Sequence, residues 1–283
     1  MNINKSNELF FIAEIGINHN GDLSNTQKLI DAAYVAGWNS VKFQKRNPDV
    51  CVPEAQKKIP KVTPWGEMAY IDYKKKIEFG KPEYDFIDKY CKSKKDGMIW
   101  SASVWDLDSL NFLMEYNPSY IKIPSALLNN LELISESSKT KTTIILSTGM
   151  SEISEIDTAV NLIKKYSNPI ILHTNSSYPS PPEEINLSTI PFFKERYNCK
   201  IGYSGHEYNL EPSVLAVALG AELIERHITL SHDMWGTDQK SSLTLDGMIK
   251  LINRCKNIKK YVGFPRLKPF KSELEAIKRL KKI

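Results

Sequence analysis

The stretch Ile201–Asp238 reads IGYSGHEYNLEPSVLAVALGAELIERHITLSHDMWGTD. Its opening run, Ile201 to Ser204, is short and apolar, is broken by Gly205 and is followed at once by His206, the pattern of a buried strand emptying into a loop. Ala221 to His227 repeats the pattern and again delivers a histidine at its C-terminal end. Between them Glu211 to Leu219 reads as a helix, with Pro212 in its first turn and Gly220 closing it. Two successive strands ending in imidazoles on one rim predict parallel strands with helices between them and a polar site where the strands end. A hydrogen bond to a rim carbonyl would account for either histidine alone. Ser204, Asp233, Asp238 and Lys240 on the same loops favour a shared cavity, in which His206 and His227 are placed as a metal-binding pair.

The same alternation runs through the whole chain. Strands are expected at Phe10–Gly16, Ser40–Gln44, Met98–Ser103, Tyr120–Ile123, Thr143–Ser147, Pro169–Thr174, Lys200–Ser204 and Glu222–His227, each followed by a helical pattern, from Asn25–Ala36 to Leu245–Tyr261. Eight such units suit a single (β/α)8 TIM barrel spanning residues 1–283, a fold of about 250 residues. A doubly wound sheet would need a glycine-rich phosphate turn after its first strand, and Gly16 to Gly21 is not one. Ser24 is expected to cap the first helix, and Ser151 or Ser154 the fifth. Lys45 to Gly80 has no strong periodicity and carries Pro48, Pro53, Pro60 and Pro64, so it reads as a long loop serving as a lid.

Composition bounds the function. Formal charge is +5, from 38 basic and 33 acidic residues, and much of the surplus sits in runs such as Lys74–Lys76 and Lys92–Lys95. These read as solvated faces, and no nucleic-acid recognition motif accompanies them. Four scattered cysteines with no CxxC spacing suit free thiols in a reducing cytoplasm. The apolar run Leu9–Ala13 is too short for a signal peptide or a membrane span.

In such a barrel the ends of the strands list the groups around the active site. They are Glu14 with Asn18, His19 and Asn20; Lys42 and Gln44; Ser101 and Ser103; Lys122 and Ser125; Ser147 and Thr148; then His173 to Ser176 with Tyr178. Lys42 and Lys122 are the informative pair, since a lysine inside a short apolar strand is costly unless it meets an anion. A structural salt bridge to Glu14 or another interior carboxylate would satisfy either of them. Two such ammoniums among Ser103, Ser125, Ser176 and Ser204 make a better cradle for phosphate and carboxylate.

Several ordered motifs now carry a family resemblance: Phe11 to Gly21 (FIAEIGINHNG), Val41 to Gln44 (VKFQ), Lys122 to Ser125 (KIPS) and Leu146 to Met150 (LSTGM). They continue with Gly202 to His206 (GYSGH), Ile224 to Leu230 (IERHITL) and Gly236 to Asp238 (GTD). From Phe10 onward the chain resembles the sialic acid synthases, or nonulosonate synthases. That resemblance implies a TIM-barrel transferase that condenses phosphoenolpyruvate with an N-acyl-mannosamine or related amino-sugar aldose, using Mn2+ or in its place Mg2+ or Co2+. By motif, His206 and His227 would be the metal ligands, and Lys42, Ser103, Lys122, Ser125, Ser176 and Ser204 would hold phosphoenolpyruvate. Glu14, Tyr178 and Asp238 would face the sugar, Gln44 would line the same site, and Glu14, Lys42, Lys122 and Asp238 would carry the catalysis.

Three features depart from the family pattern. Ala126–Leu127 stands where a carboxylate that handles the attacking water is common, and Ser176 where asparagine is common. The chain is expected to end directly after its last barrel helix, without the C-terminal antifreeze-like domain that in relatives lends an arginine to a neighbouring subunit; a homodimer is one assembly this leaves open. The lid, with Lys57, Lys58, Lys61 and Trp65, is then expected to close the sugar site. A metal-dependent aldolase of another 2-keto-3-deoxy acid and a catalytically idle sugar-phosphate binder are the alternative functions.

Overall fold

The computed structural model describes residue 3 and residues 8–281. Its strands are β1 (Phe10–Gly16), β2 (Ser40–Lys45), β3 (Pro60–Thr63), β4 (Gly66–Ala69), β5 (Ile99–Val104), β6 (Tyr120–Ile123), β7 (Thr143–Ser147), β8 (Ile170–Thr174), β9 (Lys200–Gly205) and β10 (Leu223–His227). Eight of these close a parallel barrel in the order β1-β10-β9-β8-β7-β6-β5-β2. The strands are short and rich in Ile, Val and Leu because both of their faces are buried, as parallel sheets require. One side chain in two points outward to the helix layer, where Phe11, Val41, Ile121, Ile144, Ile171 and Ile224 meet the helices; the alternate residues fill the barrel, with Ile12, Ile145 and Leu172 below and polar groups above.

The expected strands all form, with ends moved by a residue at most. The helix signals were less accurate. Asp22, not Ser24, caps the first helix, Leu23–Val35, its side chain accepting from the amides of Ser24 and Asn25. At the fifth, Ile153–Lys164, the cap position is held by Glu152, whose amide donates to Glu155, rather than by Ser151 or Ser154.

The segment expected to serve as a lid is no structureless loop. It holds two four-residue helices (Pro48–Cys51 and Glu54–Lys57), the antiparallel hairpin β3–β4 and the helix Tyr70–Ile77. Its hairpin lies against the loop after β10, with Trp65 and Tyr73 each meeting Trp235 edge to face at 6.2 Å and 5.3 Å. The barrel helix Leu245–Val262 is not the last element either, since Leu274–Leu280 forms a further helix. No described helix is long and apolar enough to cross a membrane, and the four cysteines are free thiols.

Candidate active site

The strand register assembles the site. Glu14 stands beside His227 on one side and Lys42 on the other, Gln44 beside Ser103, Ser103 beside Lys122, and Ser204 beside Glu225. All of these point into the barrel near the C-terminal ends of the strands and surround a cavity of about 210 Å3. Every expected site residue but Asp238 lines it, together with Ser147, Thr174, Trp105 and Glu225. A wider groove of about 600 Å3 lies at the N-terminal ends of the strands, between Trp38, Trp100 and Tyr116; it gathers no comparable set of charged groups.

The cavity floor is an ionic lattice. Lys42 Nζ lies 2.6 Å from Glu14 Oε2 and 3.6 Å from Glu225 Oε1, and donates to Ser103 Oγ at 2.9 Å. The structural salt bridge weighed for Lys42 is therefore present. Among the described residues Lys122 has no carboxylate at such distance: its Nζ donates to Ser147 Oγ at 2.6 Å and to the Ile123 carbonyl at 3.1 Å. Burial lowers its pKa to about 8, against the pull of Glu225. A second unshared anion beside Lys122 would reverse that shift, which is the property of a site built for an anionic ligand.

Glu225 is the functional residue that the sequence reading passed over. Burial opposes its ionisation, but the ammoniums of Lys42 and Lys122 outweigh it and hold its pKa below the usual carboxylate range. Ser204 Oγ donates to Oε1 at 3.2 Å, and Oε2 is buried with no hydrogen-bond partner among the described residues. The signal was present in the sequence. In a strand ending Glu225-Arg226-His227, alternation sends residues 225 and 227 to the same face, so a histidine read as facing the cavity carries Glu225 with it.

Arg226, on the opposite face, is wholly buried against Glu207 at 2.8 Å and also donates to Ser213 Oγ and the Asn209 carbonyl. This pair joins the residue after His206 to the residue before His227 and so fixes the two imidazoles relative to each other. Their ring centroids are 5.5 Å apart. His206 Nδ1 meets the Asn175 carbonyl at 2.6 Å and Nε2 meets the Tyr178 hydroxyl at 2.9 Å. Burial, then the neighbouring His227, lowers the His206 pKa to about 3, so its imidazole is neutral. His227 Nδ1 is buried without a hydrogen-bond partner among the described residues, with Asp238 Oδ2 4.0 Å away. Asp238 thus stands behind His227 instead of lining the cavity.

Small residues admit the serines. The Gly149 amide donates to Ser125 Oγ at 3.0 Å, and a Cβ on Gly149 would lie 2.2 Å from Ser176 Oγ, so a larger residue there would displace that hydroxyl. Other rim candidates are structural. Asn18 donates to the Ile228 carbonyl and Ser242 Oγ, His19 stacks on Phe79 at 4.1 Å, Asn20 donates to the Trp235 carbonyl, and His173 meets the Ile185 carbonyl. Among the described residues, no group of three or more His, Cys, Asp or Glu side chains is arranged to hold a metal ion. Two buried imidazoles, that of His206 neutral and that of His227 with a buried nitrogen lacking a partner among the described residues, fit a cation that takes its remaining ligands from substrate and water.

A parallel (β/α)8 barrel whose strand ends hold two buried lysines, a ring of serines and a histidine pair is the framework of an enzyme acting on a small anionic substrate. The chain belongs to the NeuB family, which it matches over residues 29–266. It is 34% identical to the N,N'-diacetyllegionaminic acid synthase of Campylobacter jejuni, over 96% of this chain and 82% of that one. It is 32% identical to the human N-acetylneuraminate-9-phosphate synthase, over 90% of this chain and 72% of that protein. Among solved structures, the N-acetylneuraminic acid synthetase of Leptospira borgpetersenii, in complex with citrate, superposes with a TM-score of 0.87 at 35% identity, covering 96% of this chain and 91% of that one.

Proposed function

We propose that the protein condenses phosphoenolpyruvate with an open-chain amino-sugar aldose, releasing phosphate and forming a 3-deoxy-2-ulosonic acid of the sialic acid kind. The observation that carries this reading is the pair of buried lysines on one wall of the cavity facing the histidine pair on the other. Lys42 and Lys122 bind the phosphate and carboxylate of phosphoenolpyruvate, with Ser103, Ser125, Ser147, Ser176 and Ser204 as neutral donors. His206 and His227 hold a divalent cation, manganese(II) in the first place, which when bound supplies Lewis acidity to the acceptor's aldehyde oxygen. Tyr178, hydrogen-bonded to His206, and Asp238, behind His227, set the orientation of the two rings.

With the reactants so held, C3 of phosphoenolpyruvate attacks the aldehyde carbon, a carbon–carbon bond forms, and water adds to C2 before the carbon–oxygen bond to phosphate breaks. Glu14 is placed to take the proton of that water, because Gln44 Nε2 donates to its Oε1 at 3.0 Å and Lys42 Nζ lies 2.6 Å from its Oε2, which orients the carboxylate. Most of the acceleration comes from positioning and from the fixed charges.

The lowered pKa of Lys122 favours one other reading, a Schiff-base aldolase in which neutral Lys122 attacks a keto acid. Borohydride trapping with pyruvate separates the two. The deciding experiment supplies phosphoenolpyruvate, Mn2+ and a panel of aldoses and reads phosphate release and product mass. His206→Ala and His227→Ala should each lower turnover by about a hundredfold or more while circular dichroism stays native. Full activity in both variants would overturn the assignment of the histidines.

A further inference from the structure

Three cations of the segment after β2 stand without a paired carboxylate among the described residues, with Asp238 near enough to act on Lys74. Arg46 donates to Gln44 Oε1, and its guanidinium lies over Trp105 at 4.1 Å, so it borders the cavity wall that Gln44 and Trp105 form. Lys61 and Lys74 share one pair of rings. Lys61 Nζ is 5.8 Å from the centroid of Tyr70, 5.1 Å from that of Tyr73 and 5.8 Å from that of Trp235, and Lys74 Nζ is 5.3 Å and 5.5 Å from the two tyrosines. None of the three has a carboxylate within 4.0 Å among the described residues, whereas Lys45, Lys57 and Lys75 of the same segment are paired to Glu78, Glu54 and Asp49. Burial first, then Arg46 and Lys61, lower the Lys74 pKa to about 8, against Asp238 and Glu78. Of those two carboxylates, Glu78 belongs to Lys45, and Asp238 Oδ1 accepts from Thr237.

Unpaired cations are held together at a cost unless an anion joins them. Aromatic faces recover part of that cost and keep the ammoniums in place. The segment was expected to supply charge over the site through Lys57, Lys58 and Lys61; of these, Lys61 shares its aromatic rings with Lys74, and Lys57 is paired to Glu54. We infer that Arg46, Lys61 and Lys74 form an anion subsite for the far end of the acceptor, so that the preferred aldose carries a phosphate monoester or a carboxylate remote from its aldehyde. This rests on the synthase reading above and adds the charge class of the acceptor. Lys61 and Lys74 are not among the residues that line the cavity with Lys42 and Lys122, so the two anions would meet separate cations.

The test compares N-acetylmannosamine with its 6-phosphate, in calorimetric titration without phosphoenolpyruvate and in phosphate release with phosphoenolpyruvate and Mn2+. The phosphorylated sugar should bind about tenfold tighter or better, and kcat/KM should favour it to a similar degree. Lys61→Met and Lys74→Met should each remove most of that advantage, and Lys74→Arg should retain it. Equal affinities for the two sugars, or an advantage that neither methionine variant moves, would overturn the inference. Inorganic phosphate is titrated separately. If it binds as tightly as the sugar phosphate and is lost in the same variants, the cluster serves free phosphate and the acceptor proposal falls. A binding advantage that depends on the lysines, with no phosphate release from either sugar, would uphold the subsite and reject the synthase reading.

Discussion

Lys42 and Lys122 could be found in the sequence because a lysine breaking a four-residue apolar strand violates the local pattern, and such violations collect at functional sites. Glu225 escaped because it lies beside Arg226, and adjacent opposite charges resemble a surface pair until the strand's alternation separates them to opposite faces. The structure makes Glu225 the group that keeps Lys122 protonated, which gives a prediction with a sign. Binding of phosphoenolpyruvate favours the protonated ammonium, so affinity should fall as pH rises through about 8, where free Lys122 loses its proton. Glu225→Gln removes a charge that raises the Lys122 pKa, so the same fall should occur at lower pH. Calorimetric affinities between pH 6 and 9, written as about one unit or more of displacement, read this directly. A profile that does not move in the variant would show that Glu225 does not govern Lys122.

At the level of elements, the barrel strands were legible because each is a short, mostly apolar run bounded by a turn, whereas the segment Lys45 to Gly80 is built from four pieces of four residues and one helix of eight, too short to show a lasting period. Its stability comes from contacts far away in sequence, chiefly the meeting of Trp65 and Tyr73 with Trp235. Trp235 belongs to the loop after β10, which begins just beyond His227, so ligands at the histidine pair should stiffen the hairpin. Trypsin cleavage at Lys58 and Lys61 is expected to slow severalfold when phosphoenolpyruvate and Mn2+ are added, and to quicken in Trp235→Ala without ligands. Mass analysis of timed digests checks both. The second long-range tie is the buried pair Arg226–Glu207, whose partners follow and precede the two histidines. Glu207→Ala leaves a buried guanidinium with only neutral acceptors and should cost about 3–5 kcal/mol in urea unfolding. Because the two histidine-bearing turns would then be free to separate, Mn2+ affinity should fall in the same variant.

For the whole molecule, the closed barrel follows from counting strand–helix alternations, yet nothing in those alternations tells where the last layer ends. The helix Leu245–Val262 belongs to the barrel: Met248, Leu251, Ile252 and Cys255 are buried, and Trp38 Nε1 donates to the Met248 carbonyl at 3.3 Å. Beyond it the pattern inverts, for Phe264 and Leu267 are 96% and 94% exposed, and Phe270 and Leu274 are exposed as well. Arg266 and Glu273 pair within this stretch at 3.1 Å, so it is held partly by its own contacts. Side chains that remain in water contribute little to the folded state, and their removal should cost little. A chain truncated after Gly263 is therefore expected to unfold within about 2 °C of the full chain, with unchanged phosphoenolpyruvate affinity. Calorimetry at several protein concentrations provides the check. A loss of more than about 5 °C, accompanied by a midpoint that depends on concentration only in the full chain, would mean that a second copy covers these apolar residues in solution. The segment would then be an arm of an assembly and not an appendage of the barrel.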